Sequence, residues 1–214
     1  MKVGTDGTLL GAWTQGGRRV LDIGTGTGLI ALMMAQRYAE AEIVAIDIDP
    51  AAVAQAADNV AKSPFASRVN TALCDVRLMA DDCGFDAIVV NPPYYDQSLE
   101  SPDSKRTLAR HTSTLSYREL MTAAWRLLTD DGQLSVVIPQ ECRNKLESEA
   151  VMAGFFLVRE CGVKTTPYKS IRRYLLAFAK HPTAAIERSE GVLQTIDGRR
   201  SPWYDALTKD FYLW

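Results

Sequence analysis

Histidine is nearly absent from this chain: 214 residues contain two, His111 and His181. The four cysteines, Cys74, Cys83, Cys142 and Cys161, include no C-x-x-C pair. That scarcity leaves no spacing for a zinc site and no framework of disulfides, so no metal is expected and the thiols read as reduced, cytoplasmic ones. No apolar run approaches the roughly 20 residues that span a bilayer, so no membrane partner is expected. The opening Met1-Lys2-Val3-Gly4-Thr5-Asp6-Gly7 lacks the apolar core and the cleavage site of a signal peptide. Net charge is also lacking: at −2 the chain as a whole has no general attraction for nucleic acid. Repeats, low-complexity tracts and long linkers are missing too. Residues 1–214 therefore read as one domain, expected to be monomeric.

What is present is apolar and alternating. Hydrophobic residues make up 47% of the chain, enough for a sizeable core. Buried strands are expected at 19–23, 42–47, 69–73, 85–90 and 133–138. Between them, Leu29, Leu32, Met33 and Gln36 repeat at helical spacing and predict a helix over 27–38. Asp49-Pro50 opens an alanine-rich helix to Lys62, and Ser116-x-x-Glu119 is a capping box for a helix to about Leu128. A further helix is expected over 141–153. This alternation predicts an α/β fold: a mostly parallel, doubly wound sheet with helices on both faces. Its end differs: 156–163 and 172–179 read as an antiparallel hairpin at one sheet edge. A short strand over 192–196 and a terminal helix over 202–212 complete the expectation.

In doubly wound sheets ligands bind at the carboxyl ends of the strands. The first strand ends in Asp22-Ile23-Gly24-Thr25-Gly26-Thr27-Gly28. Glycine there lets the backbone turn sharply and a ligand approach closely. A dinucleotide fingerprint would need a third glycine where Leu29 stands. The spacing is instead G-x-G-x-G with an acid ahead of it. A pyrophosphate avoids a neighbouring carboxylate, whereas an amino-acid ammonium seeks one, so Asp22 beside Gly24 and Gly26 suits a zwitterionic tail. Asp47, ending the second strand, can accept hydrogen bonds from both hydroxyls of a ribose. Ile48 can pack on an adenine face, and Asp75 can accept from an exocyclic amine.

The fourth strand ends in Asn91-Pro92-Pro93-Tyr94, followed by Tyr95. Two prolines stop further pairing and stiffen the turn. Having no N–H, they leave carbonyls available beside the Asn91 side-chain oxygen. Such a rigid row of acceptors suits a planar –NH2 group. Its lone pair is delocalised and poorly nucleophilic. Accepting both hydrogens holds it in place and stabilises the positive charge that grows there as a methyl group arrives. Tyr94 can stack on an extruded base. Asn91, Pro92, Pro93 and Tyr94 are therefore the candidate catalytic residues.

At these residues the sequence resembles the class I, Rossmann-like, S-adenosylmethionine-dependent methyltransferases with an N-P-P-Y motif. Within them it is similar to the bacterial tRNA adenine-N6 methyltransferases. The matching stretches are 1–7, 10–13, 21–36, 91–95 and Phe211-Tyr212-Leu213. The resemblance implies a seven-stranded sheet, S-adenosylmethionine as cofactor, and methylation of N6 of an adenine in tRNA beside the anticodon. It implies three parts: 1–17, folding over the methionine end of the cofactor; a core over 18–180; and a C-terminal extension over 181–214. Lys2, Thr5 and Asp6 are candidate cofactor contacts on that ground, and Asn91 touches both substrate and cofactor. Members of this branch carry a short aromatic and basic segment ahead of the opening run. A chain starting at Met1 is expected to bind cofactor and to act weakly on tRNA if that segment helps hold RNA.

Two stretches carry cations and no acid. Ser104 to Arg118 holds Lys105, Arg106, Arg110 and Arg118, and Lys164 to Arg173 holds Lys164, Lys169, Arg172 and Arg173. Lys105, Arg106, Arg110, Lys169, Arg172 and Arg173 are the candidate RNA contacts, with Tyr95, Tyr168 and Trp203 as possible stacking partners. Other substrates offer the same –NH2 group. A glutamine side chain of a protein release factor is one, although that family adds an N-terminal helical domain. Guanine N2 in ribosomal RNA is another, where phenylalanine tends to replace Tyr94. DNA adenine-N6 enzymes usually add a recognition domain. A non-catalytic RNA-binding scaffold is the remaining alternative.

Overall fold

The structure is a computed structural model that describes residues 4–80, 84–92 and 115–212. Strands β1 (Arg19–Ile23), β2 (Glu42–Asp47), β3 (Val69–Leu73), β4 (Phe85–Val90), β5 (Leu128–Pro139), β6 (Phe156–Lys164), β7 (Ile171–Ala179) and β8 (Glu187–Val192) form one sheet. Their order is β3-β2-β1-β4-β5-β7-β6-β8. The first five run parallel. β7 lies antiparallel to both β5 and β6, and β8 pairs parallel with β6.

Four expectations change here. The antiparallel pair is present, but among the described residues the sheet has eight strands rather than seven and the pair is not its edge. β8 covers it, and the strand expected at 192–196 occupies Glu187–Val192 instead. The segment Glu-Arg-Ser-Glu-Gly-Val has no apolar alternation, which is how an exposed edge strand avoids pairing with other chains. The terminal helix is shorter than expected, Pro202–Thr208, with a single 3-10 turn after it.

Helices α1 (Thr5–Trp13), α2 (Leu29–Arg37) and α3 (Pro50–Ala61) precede β4, while α4 (Tyr117–Leu127), α5 (Arg143–Met152) and α6 (Pro202–Thr208) follow it. Successive strand residues point to opposite faces, so each central strand feeds two cores. Val20, Ala87 and Val89 face a cluster with Leu9, Leu10, Ile30, Met34 and Tyr204. Leu21, Ile88 and Val90 face another with Leu120, Met121, Leu146 and Phe178. Burial on both sides is why these strands read as continuous apolar runs.

The stretch assigned to covering the cofactor is mostly a buried helix. α1 buries every residue from Gly7 to Trp13. A Cβ on Gly11 would sit 2.8 Å from Met33 Sδ, and one on Gly7 would sit 3.2 Å from Leu29 Cδ2. Glycine one turn apart thus lets α1 lie directly on α2.

Candidate active site

The parallel register brings the functional strand ends to one level. Ile23 pairs with Ile46 on one side and with Val90 on the other. The next residues, Gly24, Asp47 and Asn91, therefore stand side by side, Asp47 as the last residue of β2. β2 lies to one side of β1 and β4 to the other, which makes this the topological switch point where a crevice opens.

The glycine loop is built as its composition demands. Gly24, Gly26 and Gly28 have φ of 69°, 57° and 80°, a left-handed region that a side chain disfavours. The amides of Gly24 and Thr25 both donate to the Ile46 carbonyl at 2.9 Å. The Gly26 amide donates to Asp47 Oδ2 at 3.0 Å, and the Asp49 amide to Asp47 Oδ1 at 3.0 Å. Asn59 of α3 reaches across to donate to the Thr27 carbonyl at 2.8 Å. Loop, β2 and α3 thus form one hydrogen-bonded unit.

Asp22 is wholly buried. Its Oδ2 accepts from the Thr25 hydroxyl at 2.6 Å and from the Ala31 amide at 3.1 Å. The second bond satisfies an orphan N–H of the first turn of α2, whose N-cap, Gly28, has no side chain to do so. Its Oδ1 has no partner. Burial pushes this carboxyl up to about 6, and the Asp47 charge adds to that, while the bonds from Thr25 and Ala31 oppose it.

Asp75 is tied to a residue that went unremarked in the sequence. Arg77 donates from its amide and Nε to Oδ1 at 3.0 and 2.9 Å, and from Nη2 to Oδ2 at 2.6 Å. Its Nη1 reaches Glu119 Oε1 at 3.2 Å, the residue that completes the capping box of α4 with Ser116. Arg77 holds the Asp75 carboxyl below the usual carboxylate range. Arg126 of α4 grips the same segment through the carbonyls of Val76 and Met79.

Other candidates fall into place unevenly. Asn91 is half-buried and Pro92 buried, while Ile48 is 52% exposed beside Asp47. Thr5 is exposed at the start of α1, and Asp6 forms an ion pair with Arg173 of β7. A proposed cofactor contact and a proposed RNA contact therefore engage each other. Lys169 and Arg172 are exposed, whereas Lys164 pairs with Glu190 at 2.5 Å. Trp203 is partly buried and packs against the core, with Gly191 so close that a Cβ there would sit 2.3 Å from its ring. Lys2, Pro93, Tyr94, Tyr95, Lys105, Arg106 and Arg110 lie outside the described residues. Among the described residues no cluster of ligands suits a metal, and no helix is long and apolar enough to cross a membrane.

Residues 7–171 match the Methyltransferase small domain family. The chain belongs to that family. Relatives agree along its whole length. A protein of Bacteroides thetaiotaomicron is 41% identical over all of this chain and 91% of its own. One of Parabacteroides distasonis is 44% identical with the same coverage, and one of Tolumonas auensis 42% identical over all of this chain and 90% of its own. All three are named tRNA1(Val) (adenine(37)-N6)-methyltransferase. Among solved structures, a predicted O-methyltransferase from Agrobacterium tumefaciens, Atu636, superposes with a TM-score of 0.76 at 18% identity, covering 98% of each chain. The glycopeptide N-methyltransferase MtfA, solved with S-adenosylmethionine, gives 0.61 at 14% identity over 84% of this chain and 89% of its own. Both show the fold.

The family's methyl donor, S-adenosylmethionine, fits this crevice on three observations. The orphaned Asp22 Oδ1 is a buried acceptor with nothing to accept, which suits the ammonium group of a methionine tail. A Cβ built on Gly24 would meet nothing within 4 Å, so the backbone there borders open space. Asp47 receives two amide donors, and a carboxylate offers about four acceptor sites, so two remain for a ribose diol.

Proposed function

We propose that this chain transfers a methyl group from S-adenosylmethionine to N6 of adenine 37 in tRNA1(Val). The observation that carries this reading is the coincidence of full-length likeness to relatives of that name with Asn91 level with Gly24 at the switch point. It works in the cytoplasm, as a monomer of one catalytic domain, with 18–180 as core and 181–214 as extension.

When bound, the cofactor supplies a methyl group on a positively charged sulfur, ready for attack by a nucleophile. The chain's part is to bind and to orient. Asn91 Oδ1 and the Pro92 carbonyl accept the two hydrogens of the adenine amino group and hold its nitrogen in line with the methyl. Orientation of this kind lowers the barrier by removing freedom before reaction. No strong base is needed first: the N–H proton becomes acidic only as the new C–N bond forms, and it is then lost to water, while the broken C–S bond leaves neutral S-adenosylhomocysteine. Pro93 stiffens the turn, and Tyr94 stacks on the flipped base. Asp22 holds the ammonium, directly or through water, Asp47 the ribose hydroxyls, Ile48 an adenine face and Asp75 the cofactor's own exocyclic amine. Lys2 and Thr5 contact the methionine end, and Asp6 braces α1 against Arg173. Lys105, Arg106, Arg110, Lys169 and Arg172 meet phosphates.

Two predictions follow from the acids. Because the Asp22 carboxyl sits near 6 in the folded chain against 3.8 ordinarily, the folded state holds an extra proton between about pH 4 and 6. Stability from this group is full below the lower value and is lost as pH rises through the upper one, by roughly 3 kcal/mol in total. An ammonium partner needs the ionised form, so cofactor affinity falls about ten-fold per unit below pH 6 and binding near pH 6 releases a proton. Calorimetry in buffers of different ionisation enthalpy measures that proton, and a pH-independent affinity between 5 and 7 contradicts the role. Second, Arg77→Met frees the Asp75 carboxylate to rotate. Affinity for S-adenosylhomocysteine is expected to fall about ten-fold, in line with loss of charge-assisted hydrogen bonds. Its inosine counterpart, lacking the amine, should lose much less; equal losses would assign Arg77 a purely structural role.

The experiment that tests the reaction is transfer of labelled methyl to total tRNA, total ribosomal RNA and a release factor in parallel. Label is expected in tRNA. Label confined to ribosomal RNA or to the release factor would replace this reading with one of its rivals.

A further inference from the structure

An open groove of about 440 Å³ lies between two turns at the carboxyl end of β6, lined by Pro167, Thr195, Ile196 and Asp197. One wall is the β6–β7 connection, closed by the Lys169 amide donating to the Thr166 carbonyl at 3.1 Å. The other continues β8. The Leu193 and Gln194 amides donate to the carbonyls of Lys164 and Thr165 at 2.9 Å each, and Gln194 bridges back to Arg200. Thr195 and Gly198 close that second turn through hydrogen bonds of 2.9 and 3.1 Å, with Gly198 at φ 80°. Both walls are thus set before any partner arrives.

These rigid turns hold large apolar side chains out in water. Tyr168 is 84% exposed and Ile196 71%. The charges around them are unequal. Lys164 pairs with Glu190, and Asp197 is taken by Arg199 at 2.6 Å and by the Thr195 hydroxyl. Lys169 and Arg172 are exposed and have no ion pair among the described residues. The groove's own lining, Pro167 and Ile196 with Thr195 and the paired Asp197, is thus flanked along the chain by an exposed ring and by two cations without an ion pair among the described residues. A single-stranded nucleic acid asks for that combination: stacking for the base and positive charge for the flanking phosphates.

We infer that this groove is a second nucleobase site, taking an unpaired base of the substrate RNA a few nucleotides from the methylated adenine. The proposal rests on the reading of an RNA substrate given above. Position agrees with it. β6 is the third strand from β4, about 14 Å to the side at the usual strand spacing, parallel to it through β5 and β7, and runs four residues past the level of Val90 before the groove begins. The groove therefore opens at the same end of the sheet as Asn91, within reach of the same loop of RNA. Stacking tolerates any base, so the groove strengthens binding rather than choosing a sequence.

The test measures steady-state methylation of tRNA1(Val) transcript by the parent chain, Tyr168→Ala, Tyr168→Phe and Ile196→Asp, with S-adenosylhomocysteine affinity followed alongside. Exposure of both side chains makes all three variants compatible with folding. For Tyr168→Ala and Ile196→Asp, KM for tRNA is expected to rise about ten-fold, with kcat and cofactor affinity within two-fold of the parent. Tyr168→Phe, keeping the ring, should restore the parent KM. A KM for Tyr168→Ala within two-fold of the parent overturns the groove while leaving the proposed reaction standing. If the parent labels no tRNA at all, the reaction assignment and the groove fall together.

Discussion

Asn91→Ala is expected to lower methyl transfer at least 100- to 1,000-fold, the scale seen when one preorganised hydrogen-bonding group is removed from a charged transition state. Cofactor affinity should change little. The argument is geometric. Asn91 directly follows β4, whose last residue pairs with Ile23, so it stands beside Gly24 rather than over the ribose or adenine positions near Asp47 and Asp75. Pro92 and Pro93 leave the turn little freedom to compensate. Alanine removes one acceptor, and the amino group keeps a single hydrogen bond and regains its rotation. The loss should appear in kcat more than in KM for cofactor, because the lost interaction strengthens only as charge develops on nitrogen. Single-turnover kinetics with saturating cofactor check this. Transfer within ten-fold of the parent would show that nitrogen is oriented by something other than this turn.

Asp47→Ala is expected to raise the dissociation constant for S-adenosylmethionine about 10- to 100-fold, as two hydroxyls lose a charged acceptor. The effect has a second source. Asp47 also receives the Gly26 and Asp49 amides, so it holds the glycine loop against β2. Asp47→Asn separates the two. Its remaining carbonyl oxygen can keep one amide bond, and its –NH2 cannot accept from a hydroxyl. Calorimetry should place Asp47→Asn between the parent and Asp47→Ala. Parent-like affinity for Asp47→Ala would remove the ribose from this site.

Much of this site was legible in sequence because its constraints are local. Three glycines spaced by two marked a sharply turning loop, and all three have positive φ. Asn91 stood out because two prolines after a buried strand have few structural reasons to exist. The capping box at Ser116 and Asp49-Pro50 marked helix starts because caps are matters of nearest neighbours. What escaped depends on partners distant in sequence. Nothing local singles out Arg77, which folding sets between Asp75 and Glu119. Asn59, a poor helix residue in an alanine-rich helix, carried a faint signal. Its reason, the Thr27 carbonyl, lies 32 positions away. α1 has no polar face to give it a helical period, because it is buried nearly all round. β8 escaped for the opposite reason, having hardly any apolar face. Asp6 and Arg173 were assigned separate ligands because nothing local shows that β7 passes the start of α1.

The central claim is that an –NH2 group on adenine, and no other nitrogen, receives the methyl. It is tested most directly by nucleoside mass spectrometry of tRNA1(Val) transcript after transfer of an isotopically labelled methyl group. The account predicts N6-methyladenosine at position 37 and no labelled nucleoside from a transcript carrying guanosine there. Label at adenine N1 or guanine N2, or equal labelling of both transcripts, would contradict it.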